Sequence, residues 1–250
     1  MPKFFVTDEQ MEGNHINIIG HDVNHIKNVL RKKVKDEITI CNTTKEKDYL
    51  CFINSITKEN IDCIIIAELE KQTEGNVKVS IFQGLPKADK MELVIQKSVE
   101  LGACDIIPVE MKRSIVKLQA KDKDKKIQRW QKISEVAAKQ CGRNLIPEIK
   151  SVIHTRDICS LIKEYDALLI AYENEKEKSI KQSLQELKEE CGKDEIKVGV
   201  LIGPEGGIAP EEVELLQSYG AITISLGKRI LRTETVALNV LSIIMYELEN

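Results

Sequence analysis

Two glycine-bearing segments hold the residue types that could do chemistry. The first reads Val198-Gly-Val-Leu-Ile-Gly203-Pro204-Glu205-Gly206-Gly207. The second reads Ile222-Thr-Ile-Ser-Leu226-Gly227-Lys228-Arg229-Ile230-Leu231-Arg232-Thr233-Glu234-Thr235. Each is an apolar run of strand composition that ends in glycine and leads into a helix. Pro210 suits the first helical position, where a missing N–H costs nothing, and Glu211 and Glu212 suit the positive end of the dipole. Adjacent strand ends of this kind form a ligand site in an open α/β sheet. With no side chain in the way, a flat or anionic cofactor can lie against backbone N–H and C=O groups. A bare strand-to-helix turn also uses Pro-Glu-Gly-Gly. The second segment favours the ligand site, because Arg229, Arg232, Thr233, Glu234 and Thr235 crowd just past a strand end.

The elements that must position these segments alternate between strand and helix from Val77 onward. Strands are expected at Val77–Gln83, Cys104–Val109, Ile149–Val152, Ala167–Tyr172, Val198–Gly203 and Ile222–Ser225. Helices are expected at Lys90–Leu101, Gln128–Gln140, Asp157–Lys163, Lys176–Glu190, Pro210–Tyr219 and Thr233–Leu248. This alternation means a parallel sheet with helices on both faces. The last helix is apolar on more than one side, which implies core packing and suits a subunit interface as a second use. Residues 1–70 instead read as short strands, at Lys3–Val6, Ile16–Ile18, Glu37–Cys41, Tyr49–Ile56 and Ile61–Leu69, with one helix over His21–Leu30. That pattern suggests a small barrel of the kind that docks on RNA, although composition alone does not separate it from other small barrels. Residues 71–76 are a polar linker, and residues 77–250 form the second domain.

Composition narrows the function. A chain of 250 residues with 42% hydrophobic and 31% charged content has room for one large α/β domain and a small module. No apolar run approaches the roughly 18 residues of a membrane span, and Asp8 and Glu9 interrupt any signal-peptide core, so no membrane partner is expected. Seven cysteines without Cys-x-x-Cys spacing read as reduced thiols in a cytoplasmic protein, and four scattered histidines give no metal site. The net charge of −3 does not favour nucleic acid, but its distribution does. Lys112–Arg143 carries eleven Lys and Arg against three Asp and Glu, whereas Glu164–Glu195 carries ten acidic residues against five basic. Lys27, Arg31, Lys32, Lys33 and Lys35 form a second basic cluster. Focused basic stretches on an acidic protein can bind a polyanion at one face. Lys121–Lys126 alone reads as a solvated helix end.

Four motifs in order resemble the RsmE family of the SPOUT superfamily. They are Gln96-Lys-Ser-Val-Glu-Leu-Gly102, Glu135-Val-Ala-Ala-Lys-Gln-Cys-Gly-Arg143, Gly203-Pro-Glu-Gly-Gly207 and Leu226-Gly-Lys-Arg-Ile-Leu-Arg-Thr-Glu-Thr235. Pro2-Lys-Phe-Phe and His25…Val29-Leu-Arg31 resemble that family's PUA-like RNA-binding domain, so the resemblance spans nearly the whole chain. Members methylate uracil N3 in 16S ribosomal RNA of the small subunit. The resemblance implies a C-terminal SPOUT trefoil-knot parallel-sheet domain behind a small N-terminal PUA-like β-barrel. It also implies a homodimer, with S-adenosylmethionine held in the knot. The sequence departs from the family at Lys3, where Arg is expected, Lys35, where Gly is usual, Lys139, where Glu is common, and Val236, where Ala is usual.

On this resemblance, Leu169, Ile170, Ala171, Gly203, Pro204, Glu205, Gly206, Gly207, Leu226, Gly227, Ile230 and Leu231 would hold the cofactor, largely through backbone groups. Methylation at uracil C5 would need a cysteine nucleophile. Cys141 is the candidate, although a small buried residue is its plainer reading. Uracil N3 carries a weakly acidic proton and needs a base, or cations that stabilise charge on O2 and O4. Glu135 or Glu234 could be the base, and Arg143, Arg229 and Arg232 the cations. Structural uses compete: Thr233 as a helix cap, Glu234 as a helix-terminal charge, and Arg232 in an ion pair with Glu234 or Glu205. Lys27, Arg31, Arg113 and Lys117 are the expected phosphate contacts. Two other functions stay open: a related SPOUT enzyme acting on a ribose 2′-OH, and a non-catalytic RNA-binding assembly factor.

Overall fold

The computed structural model describes residues 3–70 and 73–249. Pro2 of the N-terminal motif and the first two positions of the expected linker lie outside the described residues. The chain divides into two compact units. The first runs up to Glu74 and takes in Ala138–Ile146, and the second holds Gly75–Ala137 and the chain from Pro147 on.

The first unit is a strand-rich half-barrel. Its strands are β1 (Lys3–Val6), β2 (Met11–Glu12), β3 (His15–Ile19), β4 (Glu37–Asn42), β5 (Lys47–Ile56) and β6 (Asn60–Leu69), in the order β1-β4-β5-β6-β3-β2. β1 runs parallel to β4, and the other neighbours are antiparallel. Alternation sets the buried face: in β3, Ile16 and Ile18 are buried while His15, Asn17 and Ile19 face outward. Phe4, Ile26, Ile38, Ile40, Ile53 and Ile61 complete the core, each stabilising the fold by about 1.5–3 kcal/mol. The expected single helix is instead one α-turn, α1 (His21–Asn24), passing into a π-turn over His25–Val29. Leu30 N–H donates to the His25 carbonyl five residues back, and Arg31 then turns left-handed at φ 53°. Val23 and Ile26 anchor both turns to the core.

The second unit is an all-parallel sheet in the order β10-β8-β7-β12-β11-β13, with β9 also on β8. In chain order its elements are β7 (Val77–Gly84), α2 (Lys90–Glu100), β8 (Ala103–Glu110), α3 (Ala120–Cys141, whose last turn belongs to the first unit), β9 (Glu148–Ile149) and β10 (Ile153–His154). There follow α4 (Thr155–Leu161), β11 (Ala167–Ala171), α5 (Ile180–Glu190), β12 (Ile196–Ile202), α6 (Pro210–Ser218), β13 (Ile222–Ile224) and α7 (Thr233–Leu248). β12 lies in the middle and is buried on both faces, which is why Val198–Ile202 reads as an unbroken apolar run. Its one glycine has a packing reason: a Cβ at Gly199 would sit 2.9 Å from Leu168 and 3.2 Å from Phe82. Helices α2, α5 and α7 pack together on one side, and α4 packs on α6. The α/β class and the parallel sheet are those the sequence implied.

Several boundaries differ from the sequence expectation. Of the strand expected at Ile149–Val152 only Ile149 is in a strand, as the end of β9, and β10 begins just after the expected range; the two meet β8 at Asp105–Ile106 and Val109–Glu110. Pro108 lies between those contacts and has no N–H to donate to a ladder. The helix expected from Lys176 begins at Ile180, capped by Ser179, whose Oγ accepts from Gln182 N–H. Glu175 holds the residues before it in a turn, accepting from the N–H groups of Glu177 and Lys178. Helix α3 starts at Ala120, two turns before the expected Gln128. Among the described residues no helix is long and apolar enough to cross a membrane.

Lys35, where the family resemblance expects glycine, has φ 76°. Its N–H donates to Ile53 O at 2.7 Å, so this backbone conformation is fixed by the sheet. A side chain in the left-handed region costs about 1 kcal/mol. Lys35→Gly is therefore expected to stabilise the first unit by about that amount and raise its melting temperature by roughly 4 °C in a calorimetric scan.

Candidate cofactor pocket and active site

The carboxyl ends of β11, β12 and β13 meet at one edge of the sheet, where parallel α/β folds bind ligands. A pocket of about 520 Å³ opens there, lined by Ala171–Glu173, Ile202–Gly207 and Ile224–Thr233, with Val236 from α7 and Lys90 from α2. That volume suits a small-molecule ligand. The loop after β12 is a tight turn, closed by Gly207 N–H donating to Pro204 O at 2.9 Å. Gly207 has φ 69°, which favours glycine. A Cβ at Gly203 would lie 2.8 Å from Ile208 and 3.1 Å from the Gly207 backbone, so a larger residue would force the turn apart.

The start of α7 is tied to two strand ends. Gln83, fully buried at the end of β7, donates through Nε2 to Thr233 Oγ1 at 2.8 Å. Thr233 in turn donates to Gly203 O at 2.7 Å. Thr233 is thus not the helix cap considered above: Arg232 occupies the cap position and makes no side-chain cap bond. Nor do Glu205 and Glu234 pair with Arg232. Both carboxylates go to Lys90, whose Nζ lies 3.1 Å from Glu205 Oε1 and 3.3 Å from Glu234 Oε2. The second contact has ion-pair distance without hydrogen-bond geometry. Burial works against the Glu205 carboxylate, yet its own N–H, the Lys87 N–H and the Lys90 ammonium together hold its pKa below the ordinary value. The Glu205 hydrogen bond, against a smaller opposing effect of burial, holds Lys90 above the ordinary range.

Most of the expected cofactor residues line this pocket: Ala171, Gly203, Pro204, Glu205, Gly206, Gly207, Leu226, Gly227, Ile230 and Leu231. Leu169 and Ile170 are buried within β11, and only Ala171 of that group reaches the lining. Arg229 and Arg232 line the pocket with exposed side chains, and among the described residues no ion pair holds either. Glu234 lies behind the lining, against Lys90. Arg113 abuts the glycine loop, its Nη1 donating to Gly206 O at 3.3 Å. Lys117 is exposed on the segment that follows, and Lys27 and Arg31 are exposed in the first unit. Glu135 is half-buried on α3. Lys90, Tyr172 and Glu173 also line the pocket but were not singled out by sequence. Lys90 gave no signal, since a lysine opening a helix reads as a solvated charge.

Arg143 lies in the first unit, and the pocket lies in the second. Its guanidinium, only 7% exposed, donates to both Glu74 carboxylate oxygens, through Nε at 3.1 Å to each. Burial raises the Glu74 pKa, but the hydrogen bond and charge of Arg143 outweigh it and leave the carboxyl below its ordinary value of 4.5. Cys141, nearby in sequence, is exposed and directs Sγ to Ala138 O.

The profile of an RNA methyltransferase domain matches residues 73–245, and that of an RNA methyltransferase PUA domain matches residues 18–66. Fold and pocket thus define a two-unit RNA methyltransferase. Ribosomal RNA small subunit methyltransferase E of Bacillus subtilis is 36% identical over 252 residues, covering 100% of this chain and 98% of its own. The enzyme of that name from Mesomycoplasma hyopneumoniae is 32% identical, covering 97% of this chain and 98% of its own. The chain belongs to the ribosomal RNA small subunit methyltransferase E family. A crystal structure of the Neisseria gonorrhoeae member bound to S-adenosylmethionine superposes with a TM-score of 0.83 at 27% identity, covering 98% of this chain and 97% of that one. A Legionella pneumophila methyltransferase in complex with the same cofactor gives 0.84 at 30% identity, covering 98% and 96%. The pocket here has parts that fit such a group: a glycine floor, apolar walls from Ala171, Ile202, Leu226 and Val236, and the carboxylates of Glu173 and Glu205.

The Glu74–Arg143 pair carries a pH signature. A carboxyl held below its unfolded pKa adds stability that is present above pH 4.5 and is lost as pH falls through the folded-state value. Glu74→Gln should cost about 3 kcal/mol at neutral pH, since it leaves a buried guanidinium without its counter-charge. The variant should also lose less stability than the parent between about pH 5 and pH 3, as read by denaturant unfolding.

Proposed function

We propose that this protein methylates N3 of a specific uridine in 16S ribosomal RNA of the small subunit, with S-adenosylmethionine as donor. The observation that carries this reading is the pair of guanidinia, Arg229 and Arg232, unpaired among the described residues, on a glycine-floored pocket. When bound, the donor supplies a methyl group on a sulfonium. The loops Gly203–Gly207 and Leu226–Leu231, with Ala171 at the end of β11, would hold it. Val236 narrows the pocket from the α7 side, where the family usually has alanine.

The chain's own groups must then manage a proton and a charge. N3 of uracil becomes nucleophilic as its proton leaves, and negative charge spreads to O2 and O4. Arg229 and Arg232 would stabilise that charge, a role worth about 10²–10³ in rate for a well-placed donor. Glu234 or Glu135 would take the proton. Arg143, committed to Glu74, has its place in the first unit's interior. Lys27, Arg31, Arg113 and Lys117 would contact phosphates, which positions RNA and makes binding depend on salt. A homodimer is supported by large apolar side chains left exposed on one helix pair and its neighbouring loop: Leu93 on α2, Tyr246 on α7, and Ile230, which is 89% exposed. Seven cysteines, none of them in a disulfide among the described residues, support a reducing, cytoplasmic setting.

The test is nucleoside mass spectrometry of small subunits from cells lacking the gene, incubated with the protein and S-adenosylmethionine. 3-Methyluridine is expected, and Arg232→Ala should form it at least about 100-fold more slowly while still binding cofactor. A different methylated nucleoside would replace this reading with the ribose enzyme. RNA binding without any methylation would favour the assembly factor.

A further inference from the structure

We propose that Lys90 is a positioning residue that keeps Glu205 and Glu234 away from Arg229 and Arg232 and so leaves both guanidinia free for RNA. The inference rests on the reading that these arginines face the RNA. Lys90 is the first residue of α2, where the positive end of the helix dipole disfavours an ammonium. What favours it there is Glu205 at 3.1 Å and Glu234 at 3.3 Å.

The two carboxylates differ in what else holds them. Glu205 also accepts from Lys87 N–H, at 3.1 and 3.3 Å. Glu234 Oε2 is buried and accepts no hydrogen bond from the described residues, so the charge of Lys90 is its compensation. Removing that charge leaves Glu234 as the carboxylate in need of a cation. The nearest cation along the chain is Arg232, two residues before it at the head of α7, and Arg229 follows on the adjoining loop. A guanidinium captured by Glu234 no longer neutralises a phosphate or a developing uracil anion. In the native arrangement no ion pair holds either arginine among the described residues, and Glu205, which lines the same pocket, is held by Lys90. Lys90 accounts for that separation.

The experiment measures binding of a small-subunit ribosomal RNA transcript as a function of salt, with S-adenosylmethionine binding measured calorimetrically on the same samples. Lys90→Met should weaken RNA binding by about tenfold at low salt and make the log–log salt slope shallower by about one. Lys90→Gln, which keeps a polar side chain without the charge, should do the same. RNA affinity should fall more than cofactor affinity in both, in keeping with a role at the arginines. Adding Glu234→Gln to Lys90→Met should restore both RNA affinity and slope, because the competing carboxylate is gone. Arg229→Ala and Arg232→Ala test the underlying reading, since each should reduce the slope. If neither does, the arginines do not face RNA and that reading falls. If they do but the Lys90 variants keep the parent slope, or the double variant is not rescued, the sequestration is wrong. Loss of cofactor binding in both Lys90 variants would make the residue a strut of the pocket and would also overturn the proposal.

Discussion

One buried hydroxyl joins the parts of the catalytic unit that must meet. Thr233 Oγ1 takes a hydrogen bond from Gln83 at the end of β7 and gives one to Gly203 at the end of β12. Gln83 is fully buried and Thr233 nearly so, and each polar atom left without a partner there would cost about 1–3 kcal/mol. The first turn of α7 is therefore fixed to the two strands on which the glycine loop is built. Everything between β13 and Thr233 must span from one strand end to this anchor. That span is Ser225–Arg232, which carries both arginines and four of the expected cofactor residues. The chemistry-bearing loop is thus defined at both ends by backbone that cannot shift without exposing or orphaning polar atoms.

The first unit uses buried charge in a different way. Lys3 is 6% exposed and bonds Asp48 at 2.7 Å, the carbonyls of Gly142 and Arg143, and Asn144 Oδ1. Glu74 holds Arg143 and accepts from Asn144 N–H. These bonds gather the segment after α3 into a unit that is otherwise built from the N-terminal strands. They also bear on two departures from the family pattern. With Lys at position 3, Asp48 Oδ1 accepts no hydrogen bond, whereas the fork of an arginine could address both oxygens. Lys139 pairs with Asp22 at 3.0 Å and lies over the Phe5 ring, so the glutamate common in the family would there face an aspartate. The lysine at 139 and the aspartate at 22 make sense as a pair.

The parts of the molecule legible from sequence are those set by local pattern. The limits of α7, Thr233–Leu248, follow from its apolar periodicity, and β1, β5 and β12 follow from β-branched runs bounded by turn residues. The glycine loop was legible because φ above zero and close backbone approach leave few alternatives to glycine. What escaped depends on neighbours distant in the chain. Pro108 divides β9 from β10 across a ladder, and Ser179 rather than Lys176 opens α5 because Glu175 and Thr223 hold the residues before it. Lys90 is invisible in sequence for the same reason: its partners lie on a loop and a helix more than a hundred residues on.

Charge state at a distance also separates arginines that sequence treats alike. Arg143, Arg229 and Arg232 each lie beside glycine or apolar residues, and each could stabilise an anion. Buried against Glu74, Arg143 has already exchanged water for one carboxylate, and a second anion would have to displace that partner. Arg229 and Arg232 keep exposed side chains on the pocket and, among the described residues, have no such partner to lose. The difference does not lie in the arginines or in their immediate sequence. It lies in where the acids went: Glu74 to the first unit's interior, and Glu205 and Glu234 to a lysine. A site for an anion depends on where nearby carboxylates are held as well as on the cations supplied, because a guanidinium paired with a carboxylate is not available to the substrate.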